Sequence, residues 1–158
     1  MSVYFIGCLH LGHKNLIENV RGMSVKDHDE IILENLNKLT KRDKVFILGD
    51  LSMENRNCWH ELYRLKCVTH VVLGNHDRYQ DVKYLNDYVD QVSGCMNYKD
   101  CILTHMPIHP MCLEGERFKM NIHAHIHRHT VDDDRYFNVD AQRLNYKPIS
   151  FDEIRSRS

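Results

Sequence analysis

Histidine is the residue type that stands out in this sequence, with 12 copies against 7 glycines and 3 prolines. Imidazole is the usual acid or base near pH 7 and the commonest metal ligand. Scattered histidines such as His28, His60 and His70 are expected on the surface. By contrast, His123, His125 and His127 alternate in one short segment. This alternation predicts a site that carries chemistry.

Polar clusters follow the predicted strands, at the carboxyl ends where α/β sheets place their ligand crevices. They are Cys8-Leu9-His10, Gly49-Asp50, Gly74-Asn75-His76-Asp77, Thr104-His105-Met106-Pro107 and His123-Ala124-His125-Ile126-His127. Each cluster is weak evidence by itself. Together these oxygen and imidazole donors predict a two-metal site that clamps the attacking and leaving oxygens of a phosphoryl transfer.

Short apolar runs alternate with amphipathic stretches along the chain. Strands are predicted at 3–6, 44–48, 68–73, 101–104, 120–123 and 136–139. Ile32, Leu36 and Leu39 share one face of a predicted helix over 27–40, and a shorter helix is predicted over 57–65. Ser150 and Glu153 form a capping box that opens a terminal turn. The alternation of strands and helices predicts an α/β layered protein, with residues 1–158 as a single domain.

The composition excludes several other classes of protein. The chain has 158 residues, and its 21 basic and 22 acidic residues argue against a general grip on nucleic acid or on an anionic membrane. No apolar run approaches the length of a membrane helix, and the start lacks the parts of a signal peptide, so we expect a cytoplasmic protein. The 6 cysteines include no C-x-x-C pair and are expected to be reduced thiols.

The order of the polar clusters resembles the calcineurin-like metallophosphoesterases, whose signature runs D-x-H, G-D, G-N-H-D, H and G-H-x-H. Residues 74–77 carry its most specific part. The opening motif H-x-G-H-x-N at residues 10–15 and the closing segment at residues 146–150 resemble those of small, cap-free family members from bacteria and tailed phages. The resemblance implies a four-layer α/β/β/α sandwich of two mixed sheets with helices outside, in a bacterial or phage-encoded protein.

The resemblance also implies a set of metal ligands. One ion would be held by His10, Asp50 and His127, with Cys8 as the further candidate, and the other by Asp50, Asn75, His105 and His125. Asp50 would bridge two divalent ions, which we expect to be manganese, zinc or iron.

Catalytic roles follow from the same resemblance. A bridging hydroxide would attack phosphorus, and His76 would be the general acid that protonates the leaving oxygen. Asp77 would hydrogen-bond to His76 and orient it. Asn75, His76 and His13 would contact the substrate, although His13 has the alternative role of beginning and capping a first helix.

Two positions depart from the family pattern. Cys8 stands where the family has Asp, and Ala124 stands where it has Gly. A Cys8 thiolate would keep the negative charge and favour zinc or iron. Alternatively, Cys8 is a small buried thiol and the first site keeps three ligands. The replacement of glycine by Ala124 costs little if the φ of Ala124 is negative, and it strains the backbone if that φ is positive.

The sequence therefore predicts a metal-dependent phosphoesterase that acts on phosphodiesters or phosphomonoesters, with nucleotides and cyclic nucleotides among the candidate substrates. We expect neither a membrane partner nor strong general binding of nucleic acid. The alternative is a degenerate family member that serves as a protein-binding scaffold, for which Cys8 is the only argument. His76 and Asp77 argue against a dead site because they have no obvious structural use.

Overall fold

Short strands provide the framework of the protein. The computed structural model describes residues 1–52 and 56–157, with backbone only for residues 56 and 57. The described strands are β1 Val3–Gly7, β2 Lys44–Leu48, β3 Val68–Val72, β4 Gln91–Ser93, β5 Met96–Tyr98, β6 Cys101–Leu103, β7 Met120–His123, β8 Tyr136–Asn138 and β9 Ile149–Ser150.

These strands form two mixed sheets. The first sheet has the order β4-β3-β2-β1-β9, in which β1 to β4 are parallel and β9 is antiparallel to β1. The second has the order β5-β6-β7-β8, in which β6, β7 and β8 are parallel and β5 is antiparallel to β6. Because parallel strands end at the same edge, the carboxyl ends of β1, β2 and β3 come together.

The helices are mostly short. They are α1 Lys14–Leu16, a π-helical turn Ile17–Arg21, α2 Val25–Asn37, α3 His60–Tyr63, α4 Val82–Leu85 and α5 Phe151–Arg157, with 3-10 turns at Arg56–Trp59, Tyr79–Asp81 and Pro110–Leu113. The Ser24 hydroxyl caps α2 by accepting a hydrogen bond from the Asp27 amide at 3.1 Å. None of the described helices is long and apolar enough to span a bilayer.

Two apolar layers hold the sheets and helices together. Successive residues of a strand point to opposite faces, so Phe5 packs between the two sheets while Ile6 packs toward the helices. Ile32 and Leu36 of α2 are fully buried in that outer layer, against Ile47 of β2 and its neighbours. Each such side chain contributes roughly 1.5–3 kcal/mol by leaving water.

The fold class predicted from the sequence is confirmed: two mixed sheets are flanked by helices. The six predicted strands are all present, each within a residue or two of its expected ends. Strands β4, β5 and β9 were not predicted, because each has only two or three residues and, unlike the equally short β6 and β8, contains no two adjacent apolar or aromatic residues. The helix predicted over 57–65 is instead a 3-10 turn followed by the short α3.

Candidate metal centre

The backbone at the carboxyl edge of the sheets is strained at the predicted ligands. The following have left-handed backbone: Cys8 (φ 52°), His10 (φ 50°), Asp50 (φ 51°), His125 (φ 67°) and His127 (φ 48°). Such a conformation costs about 1–3 kcal/mol for a residue other than glycine and persists only where the surroundings enforce it. Its concentration at these residues marks the edge as a functional site.

Small residues allow the loops to approach each other closely. A Cβ on Gly74 would collide with Oδ1 of Asp50, and a Cβ on Gly49 would lie 2.5 Å from Nδ1 of His105. A Cβ on Gly7 would lie equally close, 2.5 Å, to the methyl group of Ala124. Ala124 itself is not among the residues with positive φ. The replacement of the family glycine by Ala124 is therefore mild.

His105 lies at the centre of one group of candidate ligands. Its Nε2 is 3.2 Å from Oδ2 of Asp50, 3.0 Å from Oδ1 of Asn75 and 3.2 Å from Nδ1 of His125. Its Nδ1 lies 2.8 Å from the Leu48 carbonyl, which can only accept, so Nδ1 carries a proton and Nε2 faces the group. The structure thus brings together all four residues expected at the second ion.

Cys8, His10 and His127 form the neighbouring group, with ligand atoms within 4.8 Å of one another. Cys8 also lies within 4.8 Å of the ligand atoms of Asp50 and His105. Nε2 of His10 is 3.6 Å from Oδ2 of Asp50. Asp50 and Cys8 therefore border both groups, and Asp50 has the position that the bridging role requires.

His10 shows that these residues fit a metal ion. Its side chain is only 2% exposed, and among the described residues neither ring nitrogen has a hydrogen-bond partner. Burial lowers the pKa of His10 to about 3, so the ring is neutral near pH 7. A buried polar atom without a partner costs about 1–3 kcal/mol. A cation bound to the ring nitrogen that carries the free lone pair would give that nitrogen a partner.

Asp50 and His105 each favour the charged form of the other. Burial raises the pKa of Asp50, but the hydrogen bond and charge of His105 outweigh burial and bring the pKa to about 2. Burial lowers the pKa of His105, but the Asp50 carboxylate reverses this effect and raises it. The Asp50 carboxylate is therefore anionic near pH 7, as a bridging ligand must be.

Cys8 is fully buried, and its sulfur accepts a hydrogen bond from the His125 amide at 3.2 Å. Burial raises the pKa of the Cys8 thiol well above its usual value, and the carboxylates of Asp140 and Asp50 raise it further. Without a cation, Cys8 is thus a neutral thiol. Metal coordination deprotonates a thiol, so the same position fits either a ligand or a buried thiol.

Asp140 is a site residue that the sequence analysis missed. Its side chain is fully buried, with Oδ2 3.0 Å from Nδ1 of His127 and Oδ1 accepting from the Gln142 amide at 2.8 Å. A carboxylate on Nδ1 turns the other ring nitrogen of His127 toward the group and strengthens it as a ligand. The available signal was its place just after β8, at the same edge as the other clusters.

His76 and His13 lie beside the first group. The His76 amide donates to Oδ1 of Asp50 at 3.0 Å, and its ring centre is 5.7 Å from that of His10. The His13 ring is 5.6 Å from the His10 ring, and its Nδ1 accepts from the Leu16 amide at 3.5 Å. His13 therefore caps α1 while its ring borders the site.

The role expected for Asp77 needs correction. Its carboxylate accepts hydrogen bonds from the backbone amides of Gly74, Asp50 and Leu51, at 2.8, 2.8 and 2.9 Å. Among the described residues no hydrogen bond joins Asp77 to the His76 ring, and its carboxylate instead shapes the backbone on either side of Asp50. Burial raises the pKa of Asp77 in spite of these hydrogen bonds.

The two mixed sheets and the candidate metal ligands at their carboxyl edge agree with a metal-dependent phosphoesterase. The model of the family described as calcineurin-like phosphoesterase matches residues 1–154, and the chain belongs to that family. Membership supports metal-dependent hydrolysis of phosphoesters in general.

Three relatives extend the comparison. An uncharacterized protein from Methanocaldococcus jannaschii is 25% identical over 166 aligned positions, which cover 97% of this chain and 89% of that protein. The crystal structure of a protein of unknown function from Aquifex aeolicus has a TM-score of 0.81 at 25% identity and 99% coverage of both chains. An archaeal phosphodiesterase has a TM-score of 0.54 at 15% identity, covering 89% of this chain and 82% of its own, which is a likeness of fold alone.

Proposed function

We propose that this protein hydrolyses phosphoesters at a centre that holds two divalent cations. The proposal rests on the buried His10 ring, whose nitrogens have no hydrogen-bond partner among the described residues and which lies beside Asp50. Asp50 also contacts His105 of the second group. The fold that the chain shares with an archaeal phosphodiesterase favours phosphodiesters as the first substrates to test. Nucleotides and cyclic nucleotides are the proposed natural class, and residues 1–158 are proposed to form one cytoplasmic catalytic domain.

The proposed ligands divide between the two groups. The first ion would be held by Cys8, His10, Asp50 and His127, and the second by Asp50, Asn75, His105 and His125. Bound divalent cations would neutralise phosphoryl oxygens and lower the pKa of a water nucleophile. The softness of the Cys8 sulfur would favour zinc or iron over manganese at the first ion.

His76 is the proposed proton donor to the leaving oxygen. The Asp50 carboxylate accepts from its amide and so fixes the backbone from which the ring projects. The ring lies next to His10 and is only half-buried, so a substrate phosphate can approach it. Asn75 is exposed at the mouth of the site and, with His13, is proposed to contact the phosphate. Asp77 supports these side chains through the backbone.

The test uses metal-stripped protein with manganese or zinc added back. Turnover is measured on a nitrophenyl phosphodiester and on an alkyl phosphodiester with a poor leaving group. His76→Ala should lower turnover by about 10²–10⁴-fold, because a general acid contributes that much. The loss should be larger for the alkyl ester, whose leaving oxygen needs the proton more. Metal content should match the parent, and His129→Ala, at an exposed histidine, serves as the control.

The outcomes separate the proposal from the scaffold alternative. Metal-dependent turnover that His76→Ala removes supports a phosphoesterase. Equal losses on both esters would contradict proton donation by His76 while leaving hydrolysis in place. A parent protein that binds no divalent metal and turns over neither ester would refute the proposed function and favour the scaffold.

A further inference from the structure

A buried arginine contacts the loop that carries Cys8 and His10. Arg21 ends the π-helical turn, and the left-handed Gly22 (φ 68°) follows it. Its guanidinium donates to the Cys8 carbonyl at 2.8 Å and to the Leu9 carbonyl at 3.3 Å. Arg21 is only 8% exposed. Arginine is almost never this buried unless it is paired. Both terminal nitrogens of Arg21 are engaged, while its Nε has no hydrogen-bond partner among the described residues.

The contact continues from Arg21 to the far end of the same loop. The guanidinium also meets Nε2 of His28, whose Nδ1 lies 2.7 Å from Oδ1 of Asp29. Oδ2 of Asp29 in turn accepts from the Gly12 amide at 2.9 Å. Because a guanidinium can only donate, Nε2 of His28 accepts and its Nδ1 donates to Asp29.

His28 was expected on the surface, and that expectation is wrong. The residue is fully buried, with its ring 5.4 Å from that of Tyr146. It occupies the buried face of α2, where it connects the Arg21 guanidinium to the Asp29 carboxylate.

The loop between these anchors has an unusual backbone. Cys8, His10 and Gly12 have φ values of 52°, 50° and 71°, so every second residue is left-handed. Strained residues of this kind persist only where the surrounding structure enforces them. Arg21 holds the start of the loop by two carbonyls, and Asp29 holds its end by one amide.

We propose that Arg21, acting through His28 and Asp29, is a positioning residue that fixes the 8–12 loop so that Cys8 and His10 reach the first ion. The inference rests on the proposed function, since it assigns the loop to a metal ion. Arg21 donates to backbone carbonyls of the loop and not to the ligand atoms of Cys8 or His10. Its effect is therefore geometric and should be greater at the first ion than at the second.

The test compares zinc binding by Arg21→Met with the parent, using calorimetric titration. Loss of an outer contact of this kind lowers metal affinity about 10–100-fold, and we expect that loss for the ion that His10 binds. In a His125→Ala background, which removes a ligand of the second ion, Arg21→Met should weaken zinc binding at the first ion. In a His10→Ala background, which removes a ligand of the first ion, Arg21→Met should change the remaining zinc affinity little. Arg64→Met, at an exposed arginine paired with Glu61, is the matched control.

A second measurement needs no metal. Hydrogen exchange of the His10 and Gly12 amides is followed by NMR in chelator, with the Asp50 amide as the internal reference because Asp77 holds it. Arg21→Met should speed exchange at both loop amides and leave the reference unchanged. Asp29→Asn, at a partly exposed residue, should do the same at Gly12 and remains available if Arg21→Met does not fold.

The results decide two questions separately. Unchanged exchange and unchanged zinc affinities in both variants would overturn the positioning role. Equal weakening of both zinc events would also overturn it, because a general loss of stability would explain that result. If the parent binds no zinc, the proposed function fails. Hydrogen exchange of the His10 and Gly12 amides that stays slow in the variants would refute the claim that Arg21 and Asp29 hold the 8–12 loop.

Discussion

Replacing His10 by phenylalanine should make the metal-free protein more stable while removing its response to zinc. In the metal-free fold the His10 ring is buried and both nitrogens lack partners among the described residues. Phenylalanine keeps a ring of similar size among the neighbouring rings of His13, His76 and His127 and has no polar atom to satisfy. The parent side chain therefore opposes folding until a cation is bound.

The size of the effect follows from two contributions. Removal of an unsatisfied buried polar group is worth about 1–3 kcal/mol near pH 7.5. A second contribution appears in acid, because the pKa of His10 falls from its ordinary 6.5 to about 3 on folding. Between these values the unfolded chain binds a proton that the folded protein does not, so the stability of the parent falls as the pH falls. At pH 5 this adds about 2 kcal/mol to the advantage of the variant.

Urea unfolding in the presence of chelator, at pH 7.5 and at pH 5, measures both contributions. The difference in free energy of unfolding between His10→Phe and the parent should grow by about 2 kcal/mol at the lower pH. Phenylalanine at a φ of 50° bears more strain than histidine, which lowers the gain at both pH values but leaves their difference intact.

Zinc should reverse the order of stability. A ligand present at about 1,000 times its Kd stabilises the folded state by about 4.1 kcal/mol, which exceeds the variant's advantage of about 1–3 kcal/mol at pH 7.5, and the variant should lose that gain for the first ion. His129→Phe, at an exposed site, should show neither effect. A stability difference that stays constant between pH 7.5 and pH 5 would refute the reasoning, since it would mean that the His10 ring is protonated equally in both states.

Two further substitutions test the ligands that border both groups. Cys8→Ser should weaken zinc binding at the first ion and affect manganese less, because sulfur prefers softer metals; unchanged zinc affinity, measured by calorimetry, would support the buried-thiol alternative. Asp50→Asn should lose both ions, because the carboxylate lies next to His10 and His105 and its charge is removed; a variant that retains two equivalents of metal by elemental analysis would contradict the bridging role.

The sequence was sufficient to predict which residues meet, because parallel strands end at one edge. The clusters after β1, β2 and β3 are far apart in the chain, yet Asp50 lies beside both His10 and His105. Their contacts follow from strand order and not from local propensity. The five-residue strands β1, β2 and β3 and the buried face of α2 were predictable from local pattern, because apolar residues recur there in the runs and spacings typical of strands and helices.

The supporting residues could not be predicted in the same way. Arg21 and His28 are polar residues buried by tertiary packing, and nothing in their immediate sequence distinguishes them from surface residues. Asp140 is buried in the same way, and only its place after β8 could have indicated it. Asp77 shows the opposite case, because its place in a recognisable motif suggested a side-chain partner while its hydrogen bonds go to backbone amides. Local pattern identifies side chains that can bind a metal, and only the fold shows what holds them.

Three unusual features meet at Cys8 and His10, although features of each kind also occur at other residues of the protein. Left-handed backbone, a ring without hydrogen-bond partners and a thiol with a raised pKa occur together at Cys8 and His10. The strained backbone and the unpartnered ring oppose folding of the metal-free chain, by about 1–3 kcal/mol each, whereas the thiol is neutral in both states near pH 7 and its raised pKa costs no stability there. A bound cation would satisfy the ring and deprotonate the thiol in a single event. Metal binding and the stability of the 8–12 loop are therefore coupled, and the contacts of Arg21 and Asp29 keep the loop in place before the cation arrives.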